Sequence, residues 1–441
     1  MLVGCLSTPQ KTLIQSDPDW VSGQLENGLV YHVYPEHEKS VSVRLIVHAG
    51  SFQEDTQQEG YAHFVEHMAF NGSKNFSQNG VINFFEEVGV SFGADLNAYT
   101  ADQETVYQLD LPDKTQLEPA LTWLRDIGDG LDMAASEVEK EKGVILGEFR
   151  YARLDDKPFL EKFYDHFIEG SPYESQDALG TKESINNANS QGLRSFYQTW
   201  YQPQIVEVVV SGDIDIRVVI PLIENQFSDW ERGQTAKPEK QKITAFNEDD
   251  YIEYAGDEAP SISLMINRAS SVIENYPEQH QLWLDEISQH LIQQRLISVF
   301  NEAALPTQWV SSENYFMEYQ RYSITSVGFP TGSREVTQKE LLSALASLRD
   351  YGVSKHEVIN EKRYYQNLLD NVEVDWKKRD NIQLADYKAA ALVIEQKVQS
   401  QRDYQISMEI FLANLDLDVV NANIKMMLSS DYFILIGMDD D

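Results

Sequence analysis

Apolar residues recur along this chain with two periods, one of two residues and one near 3.6. Val41–Ala49 (VSVRLIVHA) alternates and is β-branched, which predicts a strand. Gln24–Pro35 predicts two strands joined by a two-residue turn at Asn27-Gly28, the second ending near Tyr34. Helical spacing follows over Tyr61–Phe70 and over Asn79–Val88, where Gly89 stops it. Phe92–Thr100 and Thr105–Leu111 read as a hairpin about a polar turn at Ala101–Glu104. Leu117–Leu131 predicts an amphipathic helix and Gly128-Asp129-Gly130 a turn. Ser136–Leu154 is a longer helix with Ser136 as cap and Glu139 completing a capping box, and Phe159–Ile168 is a further helical stretch. Leu193, Phe196 and Tyr197 belong to a helix ended by Trp200-Tyr201-Gln202-Pro203. The buried strand Ile205–Gly212 and the helix Ile216–Phe227 complete a first layered unit.

The polar run Gln234–Lys242 (QTAKPEKQK) reads as a linker. Beyond it the pattern repeats in outline. Pro260–Asn267 is a strand, His280–Phe300 a long helix, and Phe316–Gly328 gives strands with a Tyr/Phe-rich face. Gln338–Tyr351, Ser354–Leu369 and Lys388–Leu412 are helical, and Tyr432–Ile436 is a last strand. The division is thus a flexible leader over 1–20, a first domain over 21–233, the linker over 234–242 and a second domain over 243–441. Both domains are α+β, with antiparallel-rich sheets packed by helices.

Charge changes this picture. Among 441 residues, 71 are acidic and 35 basic, a net charge of -36. No basic surface exists for a nucleic acid, so that class of partner is excluded. No apolar run reaches the about 18 residues of a transmembrane helix. The single cysteine, Cys5, excludes an internal disulfide framework. Leu2-Val3-Gly4-Cys5 resembles a bacterial lipobox, and Cys5 reads equally as a lipid anchor or as an exposed terminal cysteine.

The chemistry concentrates in Tyr61–Phe70 (YAHFVEHMAF). On a helix His63 and His67 stand one turn apart on one face, with Glu66 beside them. Two imidazoles and a carboxylate in H-x-x-E-H order suit zinc, which requires a third protein ligand. Such a stretch is otherwise an ordinary polar helix face. Glu141 and Glu148 lie seven apart in Glu137–Arg150 (EVEKEKGVILGEFR), two turns along one face, and either offers the missing carboxylate. Glu148 follows Val144-Ile145-Leu146 and is expected to point inward. His32 reads as an outward strand residue, His48 as a strand-end residue that can face the helix over Tyr61–Phe70 without being a ligand, and His280, His290 and His356 as surface or packing residues.

With these motifs the chain resembles the N-terminal half of an M16-family zinc peptidase, of the pitrilysin, insulysin and mitochondrial processing peptidase type. The likeness is greatest to large bacterial periplasmic members. It implies one Zn(2+) per chain on His63, His67 and Glu148, Glu66 as general base, and Glu141 as a supporting acidic residue. The G-A-x-x-N-A-x-T run over Gly93–Thr100 is a second family signature, and implies that Asn97, Ala98 and Tyr99 bind a peptide substrate through an edge strand. The resemblance further implies a missing C-terminal half or partner subunit and a place in the bacterial cell envelope. The competing expectation is a non-catalytic processing or assembly subunit that keeps the fold.

Overall fold

The computed structural model describes residues 13–37, 39–152, 164, 165, 167–241, 251–255, 260–270, 272–317 and 319–438. Cys5, the first part of the leader, Arg153-Leu154 at the end of the expected ligand helix, most of Phe159–Ile168 and Lys242 lie outside the described residues.

Alternation in Val41–Val47 (β3) has a direct structural meaning. Val41, Val43, Leu45 and Val47 enter the main core, whereas Ile46 joins a second cluster on the opposite face. Around β3 lie β1 (Val21–Gln24), β2 (Val30–Pro35), β4 (Leu96–Thr100), β5 (Thr105–Leu111) and β6 (Val206–Gly212), in the order β1-β2-β6-β3-β5-β4. Only β2 and β6 pair in parallel. The second sheet holds β7 (Tyr251–Ala255), β8 (Ser261–Ser270), β9 (Trp309–Met317), β10 (Gln320–Gly328) and β11 (Phe433–Met438), in the order β7-β11-β8-β10-β9. Renumbered from its first strand, this is the permutation of β2 to β6 again, parallel pair included. The repeat in the hydrophobic pattern is therefore a repeat of topology.

Helices fill corresponding gaps. Between β3 and β4 stand α1 (Tyr61–Met68) and α2 (Gly80–Glu86). Between β5 and β6 come α3 (Leu117–Asp129), α4 (Ala135–Ala152), α5 (Lys182–Asn187) and α6 (Ser190–Trp200), and α7 (Ile216–Phe227) follows β6. The second unit has α8 (Tyr276–Glu302) between β8 and β9. Between β10 and β11 it has α9 (Arg334–Tyr351), α10 (Lys355–Trp376), α11 (Asn381–Val393), α12 (Gln401–Asn414) and α13 (Leu417–Met427).

Several expectations are corrected. The Asn27-Gly28 loop is longer than two residues: Leu25 and Leu29 still bond, leaving Glu26–Gly28 to turn, with Gly28 at φ 99°. Strand β4 starts only at Leu96, because Asp95 and Leu96 fold back on Ser91. Gly128 and Asp129 remain in α3, and the chain turns at Gly130. Helix α4 begins at Ala135, so Ser136 is inside it and caps nothing; Ala134 O accepts the first helical N–H bonds. Lys388–Leu412 is two helices, α11 and α12, rather than one. In the leader, Ile14 is buried and bonds Glu274 O, and Trp20 packs on Tyr34.

Helix α11 packs on the first sheet although it is coded within the second unit. Leu384, Ala385 and Ala389 cover Tyr34, Ile46, Val106 and Val209. Arg44 of β3, 1% exposed, binds both Asp110 of β5 at 2.8 Å and Asp386 of α11 at 2.9 Å. A guanidinium so buried requires carboxylate partners, and here they join sheet to helix. The linker is fastened as well. Gln241 N–H donates to Gln103 Oε1 at 2.6 Å, and Lys237 bridges Glu207 and Glu395.

Candidate metal centre

Helix α1 lies on the core face of the first sheet and packs against β4, α4 and α6. Phe64, Val65 and Met68 are fully buried, which turns His63 and His67 toward α4. Val138, Glu141, Ile145 and Glu148 on α4 follow a 3-4-3 step, so one face alternates core residues with carboxylates. Val138 and Ile145 are buried and fix that face against the domain.

Three donor atoms converge. His63 Nε2 and His67 Nε2 are 3.2 Å apart, and Glu148 Oε2 is 3.6 and 3.4 Å from them. Donors bound to a tetrahedral zinc at about 2.0–2.2 Å stand about 3.3–3.6 Å from one another. The observed spacing therefore fits such an ion. Among the described residues, this is the one His/Cys/Asp/Glu group able to hold a metal.

Glu141 occupies a different place. It accepts from His67 Nδ1 at 2.7 Å and from Asn71 Nδ2 at 2.6 Å. A proton held on Nδ1 leaves the Nε2 lone pair of His67 for a metal. Two helical turns on α4 thus serve opposite edges of one imidazole. The expectation of an inward carboxylate fits Glu141, whose side chain is 13% exposed, better than Glu148 at 45%.

Electrostatics favour a cation here. Burial, reinforced by the charge on His67, lowers the His63 pKa to about 4. Burial also opposes charge on His67, but Glu141, Glu148 and Glu66 together outweigh it and raise the pKa to about 10. With the carboxylates of Glu141, Glu148 and Glu66 around the two imidazoles, the pocket suits a cation. Burial raises the pKa of Glu66, while His67 and a hydrogen bond from Thr100 pull it back. Thr100 Oγ1 donates to Glu66 Oε2 at 2.8 Å.

Asn97, Ala98 and Tyr99 lie on β4, beyond which no further strand stands among the described residues; only Leu96 at its start is bridged, to Phe92. Asn97 Oδ1 accepts the Ala98 N–H at 2.9 Å, a bond that a second strand could replace. A cleft of about 770 Å³ has Glu54, Asp102, Phe149 and Tyr173 in its wall, and none of the three converging donors lines it. His32 and His48 do not approach. Both bond Glu207 on the opposite face of the sheet, at 2.9 and 2.8 Å, so His32 does alternate away from the main core but is buried there rather than exposed. His280, His290 and His356 bond Ser407, Glu361 and Asn360 in the second unit.

Sequence reasoning missed Asn71 and Thr100. Asn71 continues the four-residue step His63, His67, Asn71, which was a usable signal. Thr100 closes the signature run but gives no sign there of reaching Glu66.

The insulinase (peptidase family M16) model matches residues 30–180, and the peptidase M16 inactive domain model matches 187–365. The chain is 30% identical over 442 residues to a probable zinc protease PqqL of Haemophilus influenzae, covering 94% of this chain and 46% of that protein. It is 36% identical over 244 residues to the probable zinc protease PqqL of Escherichia coli, covering 54% and 26%. Each match thus spans less than half of the curated relative. The fold matches the crystal structure of the periplasmic protease PqqL from Escherichia coli with a TM-score of 0.88 at 23% identity, covering 97% of this chain and 48% of that one. Pitrilysin matches with a TM-score of 0.70 at 19% identity, covering 97% and 46%.

Proposed function

This chain belongs to the M16 peptidase family, and from that premise we propose a zinc-dependent endopeptidase acting on peptides or unfolded polypeptides. One observation carries the reading: three donor atoms at tetrahedral spacing stand beside a buried carboxylate. His63, His67 and Glu148 hold one zinc ion, and Glu141 and Asn71 orient His67. Zinc, when bound, supplies a Lewis acid for the scissile carbonyl and lowers the pKa of a water. Glu66 takes the proton of the attacking water and returns it to the leaving amine. The substrate main chain adds to the free edge of β4 at Asn97, Ala98 and Tyr99. The curated relatives are at least twice as long as the stretch they share with this chain. We therefore read this chain as the half that carries the metal, with a second half or partner subunit needed for full activity. The periplasm is the proposed setting, by likeness to a protease described as periplasmic. Among the described residues no helix is long and apolar enough to cross a membrane.

Peptide hydrolysis by the purified chain, with its second half where required, should disappear on chelation and return with one equivalent of zinc. A rate that survives complete removal of metal would discard this mechanism. Thr100→Val removes the bond that lowers the Glu66 pKa, so the acid limb of kcat/KM against pH should move to higher pH. Loss of a hydrogen bond to a charged group costs about 1.5–3 kcal/mol, and part of that is expected in kcat. An unmoved acid limb would refute the role given to Thr100.

A further inference from the structure

Helix α1 begins without a cap of its own. Gly60 stands at the N-cap with φ 86° and offers no side chain. A Cβ there would meet Ile185 Cδ1 at 2.8 Å and Leu179 O at 3.1 Å, so an ordinary capping residue does not fit. The first N–H groups of a helix nevertheless need partners, the more so where they are buried. Glu54 supplies them. Its Oε2 accepts from Gly60 N–H at 2.8 Å and its Oε1 from Ala62 N–H at 2.7 Å, with the residue 8% exposed. Glu54 follows the short turn Ser51–Gln53, which is tied to the end of the β4–β5 hairpin: Ser51 N–H donates to Ala101 O and Phe52 N–H to Asp102 O.

The two histidines differ in how they are held. The His67 ring is fixed through Nδ1 by Glu141. The Nδ1 of His63 is buried and has no hydrogen-bond partner. Among the described residues the ring's side-chain contacts are at Nε2, with His67 and Glu148 inside the centre itself, and none holds it from the Nδ1 edge, so its placement depends on the backbone beneath it. We propose, on the zinc reading above, that Glu54 is a positioning residue for the metal centre: its two-oxygen grip on the first turn of α1 sets where His63, the next residue after Ala62, presents Nε2. By the same turn it keeps α1 in register with the strand end that carries Thr100.

Burial raises the Glu54 pKa to about 8, and the two N–H donors pull it back. Acid and carboxylate forms both offer two acceptor oxygens, whereas an amide offers one and opposes the second N–H with its own donors. The test compares wild type, E54Q, E54A and N27A, each for zinc affinity by chelator competition and for metal-free melting temperature. Asn27 is a control in the same domain. It is buried, donates to Phe227 O and Trp230 O, and does not hydrogen-bond α1. E54A should weaken zinc binding about 10–100-fold, in the range of losses at residues that orient metal ligands, and E54Q should weaken it less. N27A should lower the melting temperature and leave zinc affinity unchanged. Wild-type affinity in both folded Glu54 variants overturns the proposal, as does N27A weakening zinc as much as E54A. If E54A does not fold, E54Q decides by the same criterion. A wild-type protein that takes up no zinc overturns the metal reading and this inference with it.

Discussion

Glu66→Gln is expected to lower kcat by about 10²–10⁴-fold, the span attributed to a positioned general base, with zinc still bound at one per chain. The substitution keeps volume, and the amide oxygen still accepts from Thr100 Oγ1, so the fold and the metal ligands should be undisturbed. It removes the ability to take a proton. Glu66 is buried and its pKa is raised by that burial, which brings a carboxylate closer to the pH at which it must both accept and return a proton. KM should change little, because the edge of β4 that would carry substrate is untouched. A quenched-peptide assay on zinc-matched samples measures this. Equal rates in the two proteins would remove Glu66 from the mechanism.

The second large effect separates the two acidic residues of α4. Glu148→Gln is expected to weaken zinc binding by well over the roughly 10–100-fold typical of a residue that orients a ligand, and Glu141→Gln to fall within that range. Glu148 reaches toward both Nε2 atoms, whereas Glu141 touches only the far edge of His67. Proton release gives a further readout. With the His67 pKa raised to about 10, metal-free protein carries a proton there at neutral pH, and zinc must displace it. Zinc binding at pH 7 should release close to one proton, and the affinity should rise with pH until His67 deprotonates unaided. Glu141→Gln removes the charge at Nδ1 that favours the imidazolium, so less of the Nε2 proton is there to be released. Calorimetry in buffers of different ionisation enthalpy counts the proton. A reversed order of the two variants would exchange their roles.

The parts of the centre that lie close in sequence were readable in advance. His63, Glu66 and His67 declare themselves because a helix converts a spacing of three and four into a shared face. The step from Glu141 to Glu148 declares a face too, but not which carboxylate meets which edge of the imidazole. That depends on how α4 is packed through Val138 and Ile145, which is a tertiary fact. Thr100 and Glu54 were hidden for the same reason. One reaches its partner across a strand–helix contact, the other binds backbone groups, and main-chain donors leave no trace in a residue pattern. Strand order was legible only as a repeat of periods. The shortened β4 shows a local turn overruling a strand period, and Gly128-Asp129 inside α3 shows a helix overruling a turn signal. Helix α11 was the clearest loss: its small apolar face predicts burial but cannot say against which sheet.

That last placement means that the two units cannot be parted cleanly. On the outer face of the first sheet, Tyr34, Ile46, Val106 and Val209 are kept dry by Leu384, Ala385 and Ala389, which return from far along the chain, together with Trp20 from the leader. A chain severed at the linker would expose that greasy surface and strip Arg44 of Asp386. The two sheets repeat one strand order, yet neither unit could be cut away without repainting the exposed face of the other.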